Sequence, residues 1–158
     1  YPPISFPRIC TQRVPLKVLS TCSHSNRWSR RFARWMDVDV LSDAGVNEKT
    51  GTLIAEYAYA NEFGTKDIPA RSFIGSTCDE QFQKWDAMVD KMKIDPSYSV
   101  ERLLGTLGEQ VVGDIKEKIG SNIQPSNSDA TIAKKKSSRT LIDTGIMRRA
   151  IKYKIVDK

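Results

Sequence analysis

The stretch that decides the fold is Asn61-Glu62-Phe63-Gly64-Thr65-Lys66-Asp67-Ile68-Pro69-Ala70-Arg71-Ser72-Phe73-Ile74. The segment before it alternates like a β-strand, and a long helical pattern follows it. Gly64 gives the backbone conformational freedom, and Pro69 fixes one φ angle. We call residues 61–74 the joint, and we predict that it is an ordered connection that serves as a structural element or a contact surface.

Several side chains of the joint are expected to set its structure or to contact a neighbouring subunit: Glu62, Phe63, Gly64, Thr65, Ile68, Pro69, Arg71 and Phe73. Arg71 stands among small and apolar residues, where an exposed charge is not the obvious choice. Its planar guanidinium can bind several carbonyls or a carboxylate at once. We therefore predict a buried, hydrogen-bonded contact for Arg71, either within the chain or between subunits.

Two short strands are predicted before the joint. Val38 and Val40 alternate with acidic residues, and residues 52–59 alternate over a longer window. About ten turn-rich residues separate these two segments. The pattern therefore predicts an antiparallel hairpin.

Two amphipathic helices are predicted after the joint. The first, over residues 76–93, carries an apolar stripe of Ile74, Cys78, Phe82, Trp85, Val89 and Met92. The second begins with Asp95 as N-cap and Pro96 at the first helical position, and it ends near Gly120. Its stripe consists of Val100, Leu104, Leu107, Val111 and Ile115. Glycines within this helix predict the close approach of another backbone.

The C-terminal part begins with a long polar loop over residues 121–140, in which Ser128 is predicted to cap a short helical turn. Residues 141–145 then form a turn, residues 146–149 one helical turn, and residues 150–156 a strand with one solvated face. The fold class predicted is α+β, a small antiparallel or mixed sheet covered by two long helices. Residues 37–158 form this single domain, and residues 1–36 a basic, Pro- and Arg-rich N-terminal arm.

Charge is segregated along the chain, whose formal net charge is +6. Residues 1–36 carry +7, residues 37–120 carry −7 and residues 121–158 carry +6. Such a distribution suits a protein that meets an acidic partner or copies of itself through separate patches. The arm could dock on a partner or its own domain, bind an anionic surface, or act as a transit-like peptide. Its contact residues are expected to be Trp28, Arg31, Phe32 and Trp35.

No motif indicates catalysis or a bound cofactor. Three cysteines and one histidine at irregular spacing make a closed zinc site improbable, and reduced thiols are expected. No apolar run reaches the roughly 18 residues that span a bilayer, so no membrane partner is expected. Asp143-Thr144-Gly145 is similar to the catalytic turn of aspartic proteases, which pair two such aspartates. A turn before the last strand is the better interpretation.

Four motifs in fixed order resemble a family of virion morphogenesis proteins, the neck or tail-completion (head–tail joining) proteins of tailed bacteriophages. They are Asn-Glu-Phe-Gly-Thr (61–65), Ile-Pro-Ala-Arg-Ser-Phe (68–73), Thr-Ile-Ala-Lys-Lys (131–135) and Leu-Ile-Asp-Thr-Gly (141–145). The resemblance covers residues 37–158. Ser72 stands where this family usually has proline.

The resemblance implies a non-enzymatic structural protein of the virion, made in the cytoplasm of a host bacterium. Its subunits would form a ring, commonly six-fold, that contacts adjacent connector, neck or tail proteins and surrounds the phage DNA. The residues that could face DNA or a partner are Lys134, Lys135, Lys136 and Arg139. Two alternatives stay open: a nucleic-acid-binding module that uses the basic ends, and, more remotely, a retropepsin-like protease.

Overall fold

The computed structural model describes residues 36–40, 44–48, 51–135 and 138–156. In chain order its elements are β1 (Met36–Val40), α1 (Ile54–Phe63), α2 (Ile74–Ile94), α3 (Val100–Gly120), α4 (Asp129–Lys135), α5 (Ile146–Ala150) and β2 (Ile151–Ile155). The described chain is mostly helical. The N-terminal arm, with its predicted contact residues Trp28, Arg31, Phe32 and Trp35, lies outside the described residues.

The first and last elements pair with each other as an antiparallel ribbon. Met36 lies opposite Ile155, and Val40 lies opposite Ile151. Both strands were predicted, and the alternation of β2 is confirmed, because Ile151 is buried while Lys152 and Lys154 are exposed. The partner of β1 was not predicted, since the sequence favoured a hairpin with residues 52–59.

The predicted strand over residues 52–59 is wrong, because these residues belong mostly to helix α1. Ile54 and Ala58 are buried four residues apart, which is the spacing of one helical face. The same window also alternates in polarity, and an alternation this short is compatible with the two-residue period of a strand and with the 3.6-residue period of a helix. In place of the predicted hairpin, the described residues contain an isolated antiparallel bridge between Val46 and Leu53.

Both long helices were predicted, and their apolar stripes pack together. Trp85, Val89 and Leu107 are almost completely buried in the common core. The predicted start of the second helix is wrong by several residues. Ser99 is the N-cap, and its Oγ accepts a hydrogen bond from the Arg102 amide at 3.2 Å.

Asp95 has a different role from the predicted cap. Its Oδ1 accepts a hydrogen bond from the Ser97 amide at 2.9 Å, so that it closes a turn that precedes the helix. The change of start also affects Val100, which was placed in the apolar stripe. It is the first residue of α3 and is 68% exposed.

Helix α3 packs against both strands of the ribbon, and α2 packs against α3. Gly108 makes the first contact possible, since a Cβ at this position would lie 2.4 Å from Cδ2 of Tyr153 on β2. The close neighbour is thus an aromatic ring and not the backbone that was predicted. The α+β class holds in the broad sense, but a sheet covered by two long helices is not shown.

The C-terminal segment follows its predicted order. Ser128 caps α4, where its Oγ accepts a hydrogen bond from the Thr131 amide at 3.4 Å. Gly145 adopts a φ of 73° and is the N-cap of α5. The polar loop therefore includes one short helix between two irregular segments.

Cys78 on α2 is buried and disulfide-bonded. The expectation of three reduced thiols is therefore wrong at this position. Cys10 and Cys22 lie outside the described residues.

Candidate functional site

The carboxylate of Glu62 caps the N-terminus of α2 from inside the joint. Its Oε2 accepts hydrogen bonds from the amides of Phe73 at 2.8 Å and Ile74 at 2.9 Å. Its Oε1 accepts from the amide of Gly75 at 2.9 Å and from the hydroxyl of Ser72 at 2.6 Å. Glu62 is only 3% exposed. A buried negative charge is stabilised here because unpaired amides and the positive end of the helix dipole surround it.

The backbone around Gly64 places Glu62 in that position. Helix α1 ends at Phe63, and Gly64 has a φ of 76°, a conformation that favours glycine. A Cβ on Gly64 would lie 2.8 Å from the Ala70 amide nitrogen, so the two sides of the joint touch at this point. The Arg71 amide also donates to the Asn61 carbonyl at 2.6 Å.

Thr65 orders the outer turn of the joint. Its amide donates to the Ile68 carbonyl at 2.7 Å, and its Oγ1 accepts from the Ile68 amide at 3.1 Å. Pro69 follows on the exposed side of the turn. The joint is therefore a closed loop with its own hydrogen bonds.

Arg71 connects the joint to the polar loop. Its Nε donates to the Pro125 carbonyl at 2.7 Å, and one terminal nitrogen donates to the Ser126 carbonyl at 3.3 Å. The residue is 6% exposed. The contact predicted for Arg71 is thus present within the chain and involves carbonyls. Burial lowers the pKa of Arg71, and Tyr57 opposes that effect.

The end of α4 lies beside Arg71. Lys135 Nζ donates to the Thr140 carbonyl at 3.1 Å, and the same carbonyl accepts from Asn127 Nδ2 at 3.1 Å. Burial lowers the pKa of Lys135, Asp143 raises it, and the nearby guanidinium of Arg71 lowers it further. Residues 61–74, residues 124–127, Lys135 and residues 140–143 therefore meet around one partly buried basic cluster, formed by Arg71 and Lys135.

The predicted site residues separate into buried and exposed groups. In the joint, Glu62, Arg71 and Phe73 are buried, whereas Phe63, Thr65 and Pro69 are exposed. In the basic loop, Lys134 and Arg139 are exposed, and Lys135 is half-buried and hydrogen-bonded within the chain. Lys136 lies outside the described residues.

The sequence reasoning missed a second buried carboxylate, Asp114 on α3. Its oxygens accept from Trp85 Nε1 at 2.7 Å, Lys84 Nζ at 2.9 Å and Gln110 Nε2 at 3.0 Å. Burial raises the pKa of Asp114, but these hydrogen bonds and the Lys84 charge outweigh it and lower the pKa overall. The signal that could have found it is an acidic residue on the apolar face of α3, between the buried Val111 and Ile115.

Titratable groups do not gather into a metal site in the described part of the chain, where no three His, Cys, Asp or Glu side chains lie together. None of the helices in the same residues has the length and apolarity that crossing a bilayer requires. Asp143 is exposed, and its turn leads directly into α5.

Comparison with known proteins gave no match of the chain to a protein-family model, a curated protein or a solved structure.

Proposed function

We propose that this chain is a structural virion protein of a tailed phage. It would be a ring-forming neck or tail-completion subunit that joins head and tail around the DNA channel. The observation that carries the proposal is the convergence of its four motifs on one structural unit. Glu62 belongs to the first motif, Arg71 to the second and Lys135 to the third. Asp143, in the fourth motif, is close enough that its charge raises the pKa of Lys135.

The polar groups of this unit bind the backbone of their own chain. Glu62 holds the start of α2, Arg71 holds the loop at Pro125, and Lys135 holds the carbonyl of Thr140. Side chains used in this way fix the directions of the elements that they connect. A ring subunit needs such fixed directions, because small angular errors accumulate around a closed assembly.

The remaining sequence predictions concern the assembled protein and its partners. Its ring would be homo-oligomeric and commonly six-fold, with neighbouring connector, neck or tail proteins and the passing DNA as partners. The small sheet covered by two long helices, which the sequence predicts for residues 37–158, stays a prediction. The free chain would serve no enzymatic role and need no cofactor.

A nucleic-acid-binding module is the second candidate. This candidate is favoured by four exposed basic residues that lie within seven positions of one another on α5 and β2. They are Arg148, Arg149, Lys152 and Lys154. Phosphate contacts by such a group would be independent of sequence and would weaken steeply with salt. A retropepsin-like protease is the remote alternative, and Asp143→Asn would abolish peptide cleavage only in that case.

The deciding experiment deletes the coding sequence in the phage or prophage that encodes it. The proposal predicts unjoined heads and tails, and wild-type particles should contain a fixed number of copies at the neck or tail end in a cryo-electron microscopy map. Infectious particles that lack the chain altogether would contradict the proposal. Tight, salt-dependent DNA binding by the free subunit, together with normal particles, would favour the second candidate.

A further inference from the structure

The ribbon of β1 and β2 has an edge on each side that no third strand covers in the described part of the chain. Its sheet contains two strands there, so each strand has one neighbour. Among the same residues, no backbone hydrogen bond joins residues 152–155 to a segment other than β1. An unpaired edge presents N–H and C=O groups that can bind another strand. The two edges of the ribbon are therefore candidate contact surfaces.

The outer face of β2 carries two positive charges. Ile151 is buried and Tyr153 packs against α3, so these alternate residues belong to the inner face. Lys152 and Lys154 alternate with them and are exposed. Neither lysine forms an ion pair with another residue that the structure describes. The solvated face of β2 therefore presents two cations in a row.

Strand β1 has the opposite charge pattern. Met36 and Val38 are buried, and the residues that alternate with them are Asp37 and Asp39. Because successive residues of a strand belong to opposite faces, positions 37 and 39 lie on the outer face of the ribbon. The register places these two acidic residues opposite the two lysines of β2. One edge of the ribbon is thus acidic, and the other is basic.

These charges select which strand can add to which edge. Two β2 edges would bring lysines together and two β1 edges would bring acids together, and like charges on neighbouring strands are destabilising. Edge lysines prevent unwanted pairing for this reason. A β1 edge of a second copy instead offers acidic residues to the lysines of β2, which is the combination that the chain uses between its own strands. Residues 1–36 contain no acidic residue, so the arm does not provide this match.

We infer that the free edge of β2 in one copy of this chain pairs with the free edge of β1 in the next copy. The inference rests on the proposed function and specifies which surfaces join neighbouring ring subunits. Since β1 and β2 are antiparallel, copies in the same orientation would continue the ribbon as one antiparallel sheet. The two edges differ, so the contact is heterologous and propagates from copy to copy until it closes as a ring.

A charge-exchange variant tests the inference. It combines Asp37→Lys, Asp39→Lys, Lys152→Glu and Lys154→Glu, which reverses the charge of both edges. Each chain still has acidic residues opposite lysines between its own strands, and its net charge is unchanged. The fold should therefore persist, and circular dichroism checks this. The matched control is Asp90→Lys with Lys93→Glu, which reverses an exposed ion pair near the end of α2.

Sedimentation velocity of the full chain measures self-association, and titration of labelled wild type with each unlabelled protein measures mixed association. The wild type, the exchange variant and the control should each assemble beyond a dimer. The exchange variant should bind the wild type about 10-fold or more weakly than the wild type binds itself, because every mixed edge contact brings like charges together. This difference should shrink at high salt. The control should bind the wild type as the wild type binds itself.

A second measurement does not depend on the exchanged charges. In an equal mixture of Asp39→Cys chains and Lys152→Cys chains, a short bis-maleimide should link position 39 of one chain to position 152 of another, as mass spectrometry of the linked peptides would show. A chain that carries both substitutions closes its own strand pair when a disulfide forms between these opposite positions. The closed chain should still assemble, because edge pairing leaves each ribbon intact.

The inference is overturned by a wild type that stays monomeric, by free mixing of the wild type with the exchange variant, or by the absence of links between positions 39 and 152. A closed chain that is monomeric would also overturn it, since the copies would then exchange β1 in place of pairing edges. If particles contain rings of the chain but the exchange variant mixes freely, the inference fails while the proposed function stands. If the edges pair but particles lack the chain, the interface stands and the proposed function fails.

Discussion

The joint and the hairpin of α2 and α3 are held together by different forces. In the joint, two buried ionised side chains, Glu62 and Arg71, bind backbone amides and carbonyls. In the hairpin, apolar stripes meet along two helices of 21 residues, and Asp114 supplies one polar cluster near Trp85. The joint thus depends on a few directional bonds, and the hairpin depends on buried area.

This difference predicts different responses to substitution. Removal of one partner from a buried charged contact leaves the other groups desolvated and unpaired, so the loss is concentrated in one residue. Apolar packing spreads its stabilisation over many contacts, so that most single changes have smaller effects. The predictions below test whether the two regions differ in this way.

The largest effect is expected for Glu62→Ala. This substitution leaves three buried amides at the start of α2 without their acceptor, and it should lower the free energy of unfolding by roughly 3–5 kcal/mol. Urea denaturation measures the change. The matched control is Glu80→Ala on α2, whose ion pair with Lys118 is at the surface and should contribute about 0–1 kcal/mol. Equal effects of the two substitutions would remove the distinction between the regions.

Arg71→Ala should have the next largest effect, because the carbonyls of Pro125 and Ser126 lose their charged donor. We expect a loss of roughly 2–4 kcal/mol in unfolding free energy. Arg71→Lys should recover only part of it, since an ammonium does not reproduce the planar fork. Lys66→Ala, an exposed cation of the same joint, should change stability by less than about 0.5 kcal/mol. Full recovery by lysine would show that charge alone, without geometry, is sufficient.

Two glycines of α3 test the packing side of the comparison. Gly108→Ala forces a Cβ into the Tyr153 ring and should destabilise the protein by about 1–3 kcal/mol. Gly113→Ala meets no atom within 4 Å and should stabilise it by up to about 1 kcal/mol through better helix propensity. Thermal unfolding of both variants gives the signs. A destabilising Gly113→Ala would contradict the open surroundings of that position.

An effect smaller than those in the joint is expected from the titration of Asp114, the buried carboxylate of the hairpin. Its folded-state pKa is lowered from 3.8, so the unfolded chain binds a proton first as the pH falls. Its contribution to stability is therefore present above 3.8 and is lost as the pH falls through the folded-state value. Asp114→Asn should destabilise the protein by about 1–2 kcal/mol at neutral pH, and the difference from wild type should shrink in acid. The exposed control Asp90→Asn should change the free energy of unfolding at neutral pH by less than about 0.5 kcal/mol.

Much of the fold was predictable because its signals are local. The spacing of Trp85 and Val89 predicts α2, the alternation around Tyr153 predicts β2, and Ser128 marks the start of α4. Residues 52–59 were not predictable in this way, since their alternation satisfies both a strand and a helix. Helix α1 forms there because its buried side meets the core, which a local pattern does not contain.

The site was predictable in its residues but only partly in its contacts. The surroundings of Arg71 pointed to a buried hydrogen-bonded role, and the structure supplies its acceptors from residues 125 and 126, more than fifty positions away. Nothing near Glu62 in the sequence indicates that it caps a helix beginning twelve residues later. The contacts of Asp114 were not predictable for the same reason, because its donor Trp85 lies on another helix.

The sequence by itself determined which segments bury an apolar face, where the chain turns and which charges stand in unusual surroundings. These properties follow from side-chain chemistry at short spacing, and they hold for any chain that carries the same pattern. Only the tertiary structure decided the pairing of β1 with β2, the capping of α2 by Glu62 and the exposure of Tyr59, Phe63, Ile94 and Val100. Each of these depends on which distant groups come together, since a buried charge needs a specific partner and an apolar residue is exposed only when no other element covers it.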